Sequence, residues 1–293
     1  MQESVIQHIS TSFSAGVAAE RIALEKYETK YQKMLSKSTP QEYLEDISIS
    51  SIAAPSYAAL LPLLPNRTST VLDVGVGLGQ SSVFLASKGI HCFSVEPSDL
   101  CCSILHQTAT KFGLPIEVCH GVAEDMHNIG KTDFDAVFFN ASLHHCDDPA
   151  LALKNAYNCL RPGGAIFLVN ENLLRPWTSK ARFQKRLESD PVGMGHYGGN
   201  EHSYYSWEYM KMLRSAGFSE IRKVPPFALS ALDKLEHILS KKIANERVYN
   251  KATQIFTRLA YYSLEEKVRN SSVLFQILSG ASILACHFIA VKS

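Results

Sequence analysis

From residue 71 onward the apolar positions alternate between two rhythms, short continuous runs and stretches with helical spacing. Short runs occupy Val71 to Val74, Ile90 to Val95, Ile116 to Cys119, Phe134 to Phe139, Ala165 to Asn170 and Ile283 to Val291, and the more polar stretch Ser219 to Val224 reads as a further strand, the sixth in order. Between them, helical patterns cover Ser81 to Ser87, Asp99 to Lys111 and Pro149 to Leu160, and another follows Ser206 with Trp207, Met210 and Leu213. Strand and helix in alternation predict an α/β fold, a mostly parallel sheet with helices on both faces. Punctuation supports the boundaries: Lys88-Gly89, Phe112-Gly113 and Ala216-Gly217 close helices, and Asp148-Pro149 opens one as an N-cap and first-turn pair. Ser206 is expected to cap the helix that follows it.

Before this core, residues 1–65 read as helical, with helix formers from Ala15 to Ser36 and a break at Thr39-Pro40. Tyr27 and Tyr31 fall on one helical face, where packing is the ordinary role. Pro65 to Thr70 is a polar, turn-rich linker. Residues 229–276 are again largely helical, longer than a crossover needs. The division expected is an N-terminal helical cap over 1–69 and a main domain over 70–293, with a loop at 171–206 and a helical insertion at 229–280. That insertion is expected to be a cover or a homodimer face, and its apolar stripe equally suits core packing.

Composition narrows the class. The 293 residues are 46% apolar, enough for a sizeable core, and 29 Lys and Arg balance 28 Asp and Glu, which argues against a nucleic-acid-coating surface. Seven cysteines without a Cys-x-x-Cys pair suggest neither a disulfide framework nor a structural zinc site. They read as reduced, mostly buried thiols of a cytoplasmic chain. No basic segment leads an apolar run at the N-terminus, and the apolar stretch 272–291 is broken by Gln276, Ser279, Gly280, Ser282 and His287, so neither a signal peptide nor a membrane span is expected.

The candidate chemistry begins where the first strand of the core runs into Gly75, Gly77 and Gly79. Three glycines at alternate positions let the backbone turn sharply and approach a ligand closely. A dinucleotide loop, Gly-x-Gly-x-x-Gly, would place its third glycine at position 80, and here that residue is Gln80, which leaves a nicotinamide dehydrogenase without support. Asp73, two residues before the first glycine, can orient the loop or accept from an ammonium group. Glu96 ends the second strand about 20 residues beyond the loop, where a carboxylate grips a ribose diol. Asn140 lies at the carboxyl edge of the sheet, where ligands bind in open parallel sheets.

Leu72-Asp-Val-Gly-x-Gly-x-Gly79 resembles the first motif of class I S-adenosylmethionine-dependent methyltransferases, and the run from Phe134-Asp to Leu160-Arg-Pro-Gly-Gly164 resembles their fourth and fifth motifs. The resemblance implies a Rossmann-like, seven-stranded, mostly parallel sheet whose last strand lies antiparallel beside the sixth. It implies S-adenosylmethionine as cofactor, held by Asp73, Gly75, Gly77, Gly79, Gln80, Glu96, Ala123, Glu124 and Asn140. Gly121-Val-Ala-Glu124 stands where the family usually has Gly-Asp-Ala-Glu to recognise adenine, and Val122 replaces the acid. N-terminal helices in this family often cover the cofactor, which gives residues 1–65 a lid role as a second reading.

The acceptor side is less specific. If a hydroxyl is methylated its proton must be removed, a task suited to histidine. His145, just after the fourth strand, is the first candidate base, followed by His144, Glu171 and His202, each with packing or capping as the competing role. His144, His145, Asp147 and Asp148 also form a nominal metal set, although the Asp pair already has a capping task, and no metal is expected. Arg175, Lys180, Arg182, Lys185 and Arg186 allow an anionic small-molecule acceptor, and Tyr197, Tyr204 and Tyr205 suit a ring or sugar face. The expected activity is O-methylation of a small natural product or glycan-type metabolite. N- or C-methylation and an inactive methyltransferase-fold partner are the alternatives.

Overall fold

The computed structural model describes residues 6–46, 61–191, 194, 198–224 and 287–293. The expected insertion at 229–280, Tyr197, and the first residues of the last strand lie outside the described residues.

An eight-stranded sheet forms the centre, in the order β1-β4-β3-β2-β5-β6-β10-β9. Its members are β1 (Gln7–His8), β2 (Thr70–Val74), β3 (His91–Glu96), β4 (Ile116–His120), β5 (Phe134–Asn140), β6 (Leu160–Val169), β9 (Glu220–Val224) and β10 (His287–Val291). A separate parallel pair joins β7 (Leu173–Leu174) to β8 (Tyr204–Tyr205). Strands β1 to β6 of the main sheet pair in parallel, whereas β10 runs antiparallel to both β6 and β9.

The eighth strand corrects the expectation of seven. Gln7–His8 adds to the free edge of β4, and two residues are too few for a period-two pattern to register. The N-terminal segment is therefore not wholly helical. After β1 come α1 (Ala15–Glu25), α2 (Glu28–Gln32), a 3₁₀ turn at Lys33–Ser36, and α3 (Pro40–Glu45). Thr39-Pro40 is a helix start: Thr39 accepts from the Glu42 N–H as N-cap and Pro40 occupies the first turn.

The remaining helices are α4 (Gln80–Ala86), α5 (Asp99–Phe112), α6 (Pro149–Cys159), α7 (Lys180–Glu188) and α8 (Ser206–Ala216). Ser98 caps α5 by accepting from the Cys101 N–H, and Gly113 ends it in the left-handed region at φ 62°. For α8 the cap is Tyr205, not Ser206: Ser206 is the first helical residue, and the Glu208 carboxylate reaches back to the Tyr205 N–H at 2.9 Å.

The inner strands are nearly continuous apolar runs because both faces are covered. Val71, Cys92, Ala136, Phe138 and Phe167 pack on one face, and Leu72, Val74, Phe93, Val137, Phe139 and Leu168 on the other. Truncating a fully buried phenylalanine such as Phe139 costs about 3–5 kcal/mol. The six described cysteines are free and buried within these layers. No helix among the described residues is long and apolar enough to cross a membrane.

The site follows from the strand order. The chain steps outward from β2 to β3 and β4, then returns to lay β5 against the other side of β2. This reversal opens a crevice at the carboxyl ends of β2 and β5, the usual ligand site of open α/β sheets.

Candidate active site

A cavity of about 260 Å³ occupies that crevice. Gly75, Gly77, Gln80, Glu96, Ala123, Glu124, Asn140 and His145 all line it. Val17, Glu20 and Leu24 of α1 and Tyr31 of α2 close it from above.

The three loop glycines all take left-handed conformations, with φ 68° at Gly75, 54° at Gly77 and 75° at Gly79. A Cβ on Gly75 would lie 2.5 Å from the Ser142 Cβ, and one on Gly79 would lie 2.4 Å from a Leu105 methyl. Gly75 thus admits the loop after β5, and Gly79 seats α4 against α5. Gly77 differs, because nothing lies within 4 Å of its Cβ position and it faces the cavity.

Asp73 stands behind this loop, 1% exposed, with Oδ2 accepting from the hydroxyls of Ser81 at 2.5 Å and Ser82 at 2.6 Å. Its Oδ1 is buried without a hydrogen-bond partner. Burial outweighs the two serine bonds and raises its pKa to about 6. Glu96 accepts from the Gly77 N–H at 2.8 Å and the Ser98 N–H at 2.9 Å, so it shapes the loop as well as facing the cavity. Burial again prevails over these bonds and raises its pKa to about 7.

At the opposite wall, Val122 lines the cavity where the family usually has an acid, and its N–H is taken by the Ser10 hydroxyl at 3.0 Å. The Glu124 carboxylate accepts from the Asp148 N–H at 2.9 Å, and burial raises its pKa. Beyond β5, Ala141 sits at φ 53°, a left-handed conformation that costs a non-glycine residue about 1–2 kcal/mol. The Ser142 hydroxyl ties this turn to the Val74 carbonyl at 2.6 Å.

The candidate bases separate. Glu171 is fully enclosed and accepts backbone N–H bonds from Ser142, Leu143 and His144 at 3.1–3.2 Å, together with the His144 Nδ1 contact at 2.7 Å. His144 and Glu171 therefore brace the turn and do not line the cavity. His202 is exposed, outside the cavity, and donates its backbone N–H to the His144 carbonyl at 3.1 Å. His145 alone of the four lines the void. Its Nδ1 lies 2.5 Å from the Asn200 carbonyl oxygen, which only accepts, so Nδ1 carries the proton and a neutral ring has its lone pair at Nε2.

The residues expected to form the acceptor wall are engaged elsewhere. Tyr205 donates its hydroxyl to the Thr178 carbonyl at 2.8 Å and stacks on Trp207, and Tyr204 packs edge-on against Tyr209. Lys180 pairs with Glu208 at 2.7 Å and Arg175 lies over Trp177; none of Arg175, Lys180, Arg182, Lys185 and Arg186 lines the cavity. Asp148 caps α6 by accepting from the Leu151 N–H, and no metal-binding group of three or more His, Cys, Asp or Glu occurs among the described residues.

One residue of the site escaped the sequence reading. Glu20 enters the cavity from α1, accepting from the Asn200 amide at 2.9 Å and standing 3.7 Å from His145 Nδ1. Burial, opposed by the Asn200 bond and reinforced by nearby Glu96, raises its pKa to about 7. A signal was present: Glu20 shares helical spacing with Val17 and Leu24, which puts a carboxylate on an apolar stripe.

A methyltransferase-domain family model matches residues 72–168. An uncharacterised methyltransferase of Mycobacterium bovis is 35% identical over 117 residues, which is 39% of this chain and 56% of the relative. A ubiquinone biosynthesis O-methyltransferase of Pseudomonas paraeruginosa is 32% identical over 107 residues, covering 35% of this chain and 45% of the relative. The chain thus spans about half the length of the curated relatives it matches. Among solved structures, phosphoethanolamine N-methyltransferase 2 of Haemonchus contortus in complex with S-adenosyl-L-methionine superposes with a TM-score of 0.59 at 16% identity, over 96% of this chain and 60% of that one. At that identity the superposition speaks for the fold. Residues 72–168 thus match a methyltransferase domain, carried on a fold shared with that S-adenosyl-L-methionine complex.

Proposed function

We propose that the chain transfers a methyl group from S-adenosylmethionine to a small-molecule acceptor, and that the acceptor atom is a hydroxyl oxygen. The observation that carries this reading is that the glycine loop, Glu96 and His145 line one cavity at the switch point of the sheet. The residues present fit the cofactor. The open face of Gly77 admits close approach, Glu96 offers its remaining lone pairs to a diol, and the unpartnered Oδ1 of Asp73 is an acceptor behind the loop. Bound there, S-adenosylmethionine supplies a methyl group activated by its sulfonium. The protein's share is to exclude water, align the acceptor and take its proton. Alignment alone supplies roughly 7–11 kcal/mol in well-oriented reactions, and proton removal adds about 10²–10⁴-fold.

His145 suits the second task, because Asn200 fixes its tautomer with the basic nitrogen at Nε2. A glycan-type or natural-product hydroxyl fits a cavity walled by Leu24, Tyr31, Ala141 and Cys146. The basic run on α7 lends no support to an anionic acceptor, since it lies outside the cavity. A second reading, methylation of an amine, is favoured by the carboxylates that line the void, and would need no base for a neutral amine. Calorimetry with S-adenosylmethionine, followed by transfer from labelled cofactor to hydroxyl and amine panels, tests the proposal. Binding of NAD(P) in place of S-adenosylmethionine would refute it, and transfer to amines alone would replace the hydroxyl by nitrogen.

A further inference from the structure

The cavity has three carboxylates in its wall, from Glu20, Glu96 and Glu124, and no Lys or Arg among its described lining residues. Two of these are tied down by backbone donors: Glu96 by Gly77 and Ser98, and Glu124 by Asp148. Glu20 instead receives a neutral side-chain amide, from Asn200. A desolvated carboxylate with a neutral partner is costly unless a cation joins it.

Glu20 is also held in place with care. The Arg21–Asp99 ion pair anchors α1 to α5, and Gly16 brings α1 so close to Asn200 that a Cβ there would lie 2.8 Å from the Asn200 side-chain oxygen. The carboxylate thus sits at a fixed point, 3.7 Å from His145 and at the end of the void where the acceptor is placed by the reading above. The titratable groups that face it are Glu96, Glu201, His144 and His145.

We infer that Glu20, delivered into the cavity by α1, is the residue through which this site prefers the cationic cofactor S-adenosylmethionine over its neutral demethylated product. The inference rests on the methyltransferase reading. Sulfonium, ammonium and carboxylate give S-adenosylmethionine a net charge of +1, and S-adenosylhomocysteine, without the sulfonium, has none. The two ligands are otherwise alike, so a negative charge near the sulfur distinguishes them where shape cannot. The same carboxylate would loosen the spent cofactor once the charge is gone.

Calorimetric titration of both ligands into the wild type, Glu20→Gln and Glu25→Gln tests this. Gln keeps the shape and the acceptor for Asn200 but removes the charge, while Glu25 is an exposed residue of the same helix outside the cavity. Glu20→Gln is expected to weaken S-adenosylmethionine on the order of tenfold and S-adenosylhomocysteine less than about twofold, with both unchanged in Glu25→Gln. Equal loss for the two ligands, or none, overturns the inference. In the wild type at pH 7, S-adenosylmethionine should expel more protons than S-adenosylhomocysteine, read from titrations in two buffers of different ionisation enthalpy. Equal proton release overturns the inference without recourse to any variant. If the wild type binds neither ligand, the methyltransferase reading itself fails.

Discussion

Glu171 and His144 face each other at 2.7 Å inside the protein, and the same carboxylate gathers the N–H groups of three successive residues at the turn that presents His145. Glu171→Gln replaces an acceptor with an amide that must point a donor at one of these donors. We expect a loss of about 1–3 kcal/mol in chemical denaturation, with the turn loosened and transfer reduced. Wild-type stability in this variant would show that the turn holds by other means.

His145→Ala should lower transfer to a hydroxyl acceptor by roughly 10²–10⁴-fold while leaving S-adenosylmethionine affinity close to that of the wild type. A steady-state assay paired with calorimetry checks both halves. Transfer that survives at the wild-type rate would leave alignment to do the work alone and favour an amine acceptor.

The glycines of the loop should part ways on substitution. Gly75→Ala and Gly79→Ala drive a Cβ to 2.5 Å from Ser142 and 2.4 Å from Leu105, so both should destabilise the fold by more than about 2 kcal/mol. Gly77→Ala meets open space and pays only for its φ of 54°, about 1–2 kcal/mol, yet its methyl projects into the cavity. Cofactor affinity should therefore fall in Gly77→Ala out of proportion to its melting temperature.

Acid and base act on this protein through different carboxyls. Burial lifts Glu20 and Glu96 to about 7 and Asp73 to about 6, while in the unfolded chain such groups ionise near 4. The folded state then holds more protons than the unfolded one, so their contribution is full below about 4 and is lost as pH rises through 6 and 7. Asp135 works the other way. Burial would raise it, but the Ser69 and Thr70 N–H groups and Arg161 prevail and hold it at about 2, so its contribution is present above about 4 and lost as pH falls towards 2. Without cofactor, denaturation at pH 8 should show stability lower than at pH 5.5 by on the order of 2 kcal/mol, and Glu20→Gln should flatten the slope. A profile that rises towards pH 8 would contradict the burial of these charges.

What could be read from the chain was what depends on neighbours in sequence. Gly75 to Gly79 and Glu96 announce themselves because a strand, a turn and the next strand's end are all local patterns, and the sheet order brings them together in a fixed way. Glu20 did not, since its meeting with Asn200 depends on how α1 settles across a loop 180 residues away. His144 and His145 are adjacent and alike. Only Glu171, folded back from the end of β6, decides which of them is buried and which faces the void. Tyr204 and Tyr205 suggested a binding wall by type, yet pairing with Leu173 and Leu174 turns them to other duties.

The edge strand Gln7–His8 has a kinetic consequence. It fastens the chain on one side of α1, while the Tyr43 hydroxyl, bonded to the Leu78 carbonyl at 2.5 Å, fastens it on the other. The helix that roofs the crevice is thus tethered at two points and clasped between them by Asn200 and by the Arg21–Asp99 ion pair. A tethered flap opens by breaking its clasp and recloses without having to search for its seat. Residence of the nucleoside should follow the joint lifetime of the Asn200–Glu20 contact and the Arg21–Asp99 ion pair, and a cut in the peptide between residues 8 and 15 should quicken exchange without dismantling the sheet beneath.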